Sequence, residues 1–340
     1  METFLQIIGS LALGIIIIIL GIYLYIRIKL GKYANVDSSK DMTPLLIHLN
    51  EEIMPDWMSK KNAKKIEQEL IDLGFTADKA YTVVEMDGMQ LRAFFNTPYT
   101  AVMYTHPIAG LWVDMVADVE NGKEYTVTNA PMGGEMDAPP TAEKHWLKDL
   151  TVSELYSKLQ EVVGSQPVKA LYSMSFRDYF ENAYKREMQW KNKNGGVSFE
   201  EFMRVVENDP NNYKDKEVMD AFRETKRKEL LKWHDGALEE YKIKENIPEN
   251  DCYDIFEYLF IVPSKTDTIG FIRYLADVYY LTDEQAKKFE QKYSETENMD
   301  IKILFKEINE SFSSELRAVK KDDIDYPIDI EIYEMPKRKY

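Results

Sequence analysis

The sequence predicts an N-terminal single transmembrane helix, then an α+β domain with an antiparallel meander sheet and helices, then a mainly α-helical second domain. Three observations predict it. Phe4–Ile26 is an apolar run without a formal charge, period-two patterning with Asp-Gly and Asn-Gly turns occupies Ala80–Asn129, and helical periodicity dominates from Gln166 onward. The boundaries that follow are an anchor at 1–32, a juxtamembrane linker at 33–41, the α+β domain with a five-stranded meander at 42–165, the helical domain at 166–322, and a C-terminal strand with a basic tip at 323–340.

As a helix, Phe4–Ile26 spans roughly 34 Å, against a hydrocarbon core of about 30 Å. A basic n-region and a small-residue cleavage site are both missing, so the run reads as an uncleaved signal-anchor. Arg27, Lys29 and Lys32 flank its exit. They predict a cell-membrane protein with its N-terminus outside and its C-terminal domains cytoplasmic. The lipid bilayer is then a partner through residues 4–26, and Ser10, Gly14 and Gly21 offer a small-residue seam for weak self-association.

In the α+β domain, Leu45, Leu46, Leu49 and Ile53 recur at helical spacing after Thr43-Pro44, and a second helix runs from Ser59 to Gly74. Ala80–Met86 and Met89–Phe95 flank Asp87-Gly88 as a hairpin. Tyr99–Thr105 and Leu111–Val119 follow, and Asn121-Gly122 turns into Glu124–Asn129. Pro131–Pro140 is loop, and Thr151-x-x-Glu154 is a capping box that opens a further helix.

The remainder reads as helices at Ser175–Lys191, Ser198–Glu207, Lys214–Lys232, Asp251–Val262, Thr268–Tyr280, Thr282–Tyr293 and Asp300–Lys320. Ile324, Tyr326, Ile328, Ile330 and Ile332 alternate with acidic residues, which makes a strand. Pro327 assigns it to an edge, paired within the chain or with another protein.

The net charge of −16 argues against nucleic acid as a partner, because displacing counterions needs a basic face. A single cysteine, Cys252, precludes an internal disulfide. None of the four histidines has a neighbour at zinc-ligand spacing, and no phosphate loop or nucleophile elbow occurs, so no cofactor is expected. His106, beside Pro107 in a turn, and Asp114 with Asp118, on one face of a strand, are the acid–base candidates. The plainer reading is a turn histidine and two solvent-side carboxylates. His234-Asp235-Gly236 reads as a helix end.

Trp190–Glu201 resembles a degenerate EF-hand loop. Asn192 and Asn194 fall at its third and fifth positions, Gly195 at the turn, Val197 at the apolar eighth and Glu201 at the bidentate twelfth. The resemblance implies a calcium site, but Trp190 at the first position supplies no oxygen. An Asn-Gly-Gly turn followed by a Ser198-x-x-Glu201 capping box accounts for the same residues. Functionally, these features point to a membrane-anchored cytoplasmic protein-interaction or scaffold module with a protein partner. The alternatives are a membrane-tethered enzyme at His106, Asp114 and Asp118, and a calcium-responsive regulator.

Overall fold

A computed structural model describes residues 44–131, 136–169, 175–207, 215–248, 259–294, 299–311, 318–319 and 328–335. Its centre is a seven-stranded mixed sheet: β1 (Leu49–Glu52), β2 (Thr76–Val83), β3 (Gln90–Asn96), β4 (Tyr99–His106), β5 (Gly110–Asp118), β6 (Glu124–Thr128) and β7 (Ala142–Trp146), in that spatial order. Neighbours are antiparallel except β6 and β7, which run parallel.

This corrects the expected five-stranded meander, which is only β2–β6. The missing β1 sits where a helix was expected. Leu45, Ile47 and Leu49 are buried while His48 and Asn50 are exposed, so the period is two, and Ile53, counted into the helical stripe, is 95% exposed. β7 carries no apolar alternation. Its place is set by parallel pairing, Glu124 opposite Ala142 and Thr128 opposite Trp146, and by an ion pair of 2.7 Å from Lys144 to Glu187.

The membrane-anchored architecture is corrected as well. No helix among the described residues is long and apolar enough to cross a membrane. Phe4–Ile26, with Ser10, Gly14, Gly21, Arg27, Lys29 and Lys32, lies outside the described residues. A mixed seven-stranded sheet with helices replaces the single-pass, signal-anchored class as the account of the fold.

Helices cover both faces of the sheet. On one face lie α1 (Lys61–Asp72) and α2 (Val152–Val163), whose Ala63, Leu70, Leu155 and Leu159 pack with Phe94, Met103, Val113, Met115 and Val127. The Thr151–Glu154 capping box starts α2. The other face receives α3 (Phe176–Lys193), started by Ser175, whose hydroxyl accepts from the Asp178 N–H. Phe176, Phe180 and Tyr184 of α3 lie over Tyr81, Leu91 and Val102.

The second half contains α4 (Phe199–Glu207), α5 (Asp215–Lys244), β8 (Leu259–Pro263), α6 (Thr268–Asp277), α7 (Asp283–Tyr293), α8 (Ile301–Glu310), β9 (Ala318–Val319) and β10 (Ile330–Glu334). It is not purely helical: β8, β10 and β9 form an antiparallel sheet in that order. The helix expected over Asp251–Val262 gives way to strand at Leu259–Pro263, where every residue is buried and no period shows. The expected edge strand at the C-terminus is instead central. Ile330 and Ile332 of β10 are buried between two partners, and Pro327 lies outside the described residues.

Helix α5 runs through His234-Asp235-Gly236 instead of ending there, because Trp233, Ala237 and Leu238 continue its buried face. The segment before β1 joins both cores: Leu45 packs in the second, Ile47 in the first, and Tyr184 Oη donates to Pro44 O at 2.5 Å.

Candidate functional site

The sheet face beneath α3 is divided by sequence. Over β1–β4 it is apolar. Over β5–β7 the inward positions include Asp114 and Asp118 with Val116 between them, then Glu124, Thr126 and Thr128, then Lys144 flanked by Ala142 and Trp146. Helix α3 answers with Tyr179, Arg186 and Glu187 on the matching stripe, and with Ala183 between them. The short Ala183 side chain leaves room, and a cleft of about 350 Å³ opens between α3, the β5–β6 turn, the start of β7 and the segment at Lys169. That segment is tied to β5 by the Val119–Val168 bridge and by the Lys169 N–H, which donates to Asp118 O at 2.7 Å.

Asp114 and Asp118 therefore share a face, and the face is covered by α3, where the plain expectation was solvent. Thr128 Oγ1 donates to Asp114 at 2.5 Å. Burial pushes the Asp114 carboxyl up to about 6, against the opposing pull of that bond and of Lys144. Burial also raises Asp118, while a hydrogen bond from Tyr179 and the charges of Arg186 and Lys169 hold it back. Glu124 is the cross-strand partner of Asp118. Burial raises it too, with the Asp118 charge as the next cause.

His106 does not join them. It pairs with Gly110, eight residues along β5 from Asp118, roughly 26 Å at the rise of a strand. Its Nδ1 accepts the N–H groups of Ile108 and Ala109 at 3.2 and 3.3 Å, which closes the turn. The expected trio thus separates into a turn histidine, a carboxyl satisfied by Thr128, and one carboxyl in the cleft. Sequence reasoning missed Glu124, Lys144, Tyr179 and Arg186. A signal for two of them was present, since Tyr179, Ala183 and Arg186 recur on one face of a helix.

The loop that resembles an EF-hand is held by its own contacts. Glu201 is 2% exposed, and its carboxylate accepts the N–H groups of Asp137 at 2.7 Å and Ser198 at 2.8 Å. The Ser198 hydroxyl accepts from the Glu201 N–H at 3.0 Å, completing the capping box. Asn192 is buried, and Asn194 Nδ2 donates to Trp190 O. At the turn itself sits an ammonium. Lys226 Nζ donates to Gly195 O at 2.5 Å, Val197 O at 3.0 Å and Glu229 Oε2 at 2.5 Å, and Lys226 is 2% exposed. Among the described residues no group of three or more His, Cys, Asp or Glu is arranged to hold a metal ion, and Cys252 lies outside them.

A second concavity of about 620 Å³ lies where α3 begins, against the apolar half of the sheet. Tyr81, Phe95, Tyr99 and Phe176 supply its aromatic surface, with Phe176 ring centroids 5.6 Å from Tyr81 and 6.1 Å from Phe95. Its charged rim is Glu51 with Lys79 and Arg177 at 2.8 and 3.3 Å, plus Asp78 and Asp178. Comparison with protein-family models, curated proteins and solved structures gives no match.

Proposed function

We propose that the protein is a protein-interaction module that takes an extended segment of a partner chain along the groove at the start of α3. The observation that carries this reading is an unfilled sheet edge beside an aromatic groove. β1 pairs only with Ala80–Val83 of β2, so Thr76–Lys79 has no strand on that side among the described residues. Asp78 and Lys79 of this open stretch line the groove. Strand addition supplies backbone hydrogen bonds, and neighbouring pockets for alternate side chains supply selectivity. Ile53 and Met54, 95% and 93% exposed, leave the end of β1 next to Glu51 of the rim and add an apolar contact.

A photo-crosslinking side chain placed at Met54 or at Lys79 tests it, with Ile243 of α5, 68% exposed, as the control position. Lys79 in the groove and Met54 beside its rim should trap the same discrete partner, and the control should not. Matching adducts from the control, or different adducts from these two positions, refute the assignment.

A further inference from the structure

The polar cleft holds opposite charges that do not satisfy one another. Glu124 carries the charge of Asp118 across the strand pair and makes no side-chain hydrogen bond or ion pair with a described residue. Arg186, exposed on the rim, likewise has no ion pair among the described residues, although its charge is felt by both carboxyls. The neighbouring Lys144 and Glu187 already pair with each other at 2.7 Å. A half-buried carboxylate with no donor among the described residues is costly unless something donates to it. The gap between it and the guanidinium fits a molecule with a donor cation at one end and an anion at the other.

We propose that this cleft binds a small zwitterion of the free amino acid type, its ammonium set between Asp118 and Glu124 and its carboxylate on Arg186 and Lys169. The cleft of about 350 Å³ suits a ligand of that size, at the lower end of small-molecule sites. Burial holds both carboxyls above their ordinary range, so an entering ammonium stabilises the form that burial disfavours. The proposal is independent of the groove, with which the cleft shares no lining residue.

Calorimetric titration of the full chain with glycine, L-glutamate and L-lysine at millimolar concentration tests it, with methylamine and acetate as the separated halves and phosphoethanolamine as a phosphate counterpart. At least one amino acid should bind about tenfold or more tighter than either half. Glu124→Gln and Arg186→Gln should each weaken it by about tenfold or more, the loss expected for one charge-assisted contact. Both variants should fold, since one removes a buried charge and the other changes an exposed rim residue. No heat with any amino acid, binding unaffected by both variants, or binding of phosphoethanolamine alone overturns the proposal.

Discussion

Gly196→Ala should be far more damaging than Gly195→Ala, although the two glycines are adjacent and both are left-handed, with φ of +79° and +89°. Either alanine costs about 1–2 kcal/mol for that backbone conformation. At Gly195 a Cβ would meet the flexible Lys265 side chain at 3.2 Å, which can move aside. At Gly196 it would fall 2.2–2.4 Å from the Glu229 carboxylate. That carboxylate holds Lys226 Nζ at 2.5 Å and the Val197 N–H at 3.1 Å, so displacing it strands a buried ammonium. Breaking a buried pair from one side costs about 3–5 kcal/mol, which brings Gly196→Ala to about 4–7 kcal/mol. Urea denaturation followed by circular dichroism measures both. In a Lys226→Met, Glu229→Ala background the steric target is gone, and Gly196→Ala should cost only the backbone term of about 1–2 kcal/mol. Equal costs for the two glycines, or an undiminished cost in that background, would refute the account of the loop.

Other consequences are open to measurement. An acid with a higher pKa folded than unfolded is fully compatible with the fold at low pH and destabilises it as pH rises. Asp114, moved from 3.8 to about 6, should therefore take up to about 3 kcal/mol from stability between those values. Asp114→Asn keeps an oxygen for the Thr128 hydroxyl, so its stability advantage over the parent should be absent near pH 4, grow through pH 6 and level off above it in denaturation curves. The Glu85 hydrogen bond raises the pKa of His48, so its imidazole should titrate above 6.5 by NMR, and the stabilisation it gives below 6.5 should fade as pH passes that midpoint. Glu201→Ala removes the acceptor of two N–H groups and should cost about 2–4 kcal/mol. With those oxygens already engaged, calcium should leave the Tm of the parent unchanged, and a rise with calcium would restore the loop as an ion site.

Elements with a local signal were legible in the sequence. β5 alternates because Val113, Met115 and Ala117 enter the core under α1 and α2 while Asp114 and Asp118 face the other way, and Asp87-Gly88 and Asn121-Gly122 mark turns between strands. Thr151–Glu154 and Thr282–Gln285 mark the starts of α2 and α7, because a capping box is local chemistry. β8 was not legible, since Leu259–Pro263 is buried on both faces and carries no period. β7 depends on a parallel partner reached through a long connection, and nothing within Ala142–Trp146 announces it. β1 was misread because Leu45 serves the second core and Leu49 the first, so one apolar series belonged to two environments.

The carboxylates of β5 were misplaced for a related reason. Asp114 and Asp118 have the period of a wet face, and period alone does not distinguish water from a polar covering helix. The distinguishing residues are 60 or so positions away, on α3. Phe176, Phe180 and Tyr184 match the apolar strands, whereas Tyr179, Arg186 and Glu187 match the acidic ones, with Ala183 as the gap. A wholly wet sheet face would not need a helix that is apolar along one stripe and charged along the next. The two stripes together therefore argue that α3 closes the sheet on its apolar side and leaves a built opening on its charged side. Ala183→Leu isolates that point: by filling the opening it should abolish amino acid binding in the cleft while leaving crosslinking from Met54 and Lys79 unchanged, and loss of both would mean that α3 had simply been displaced.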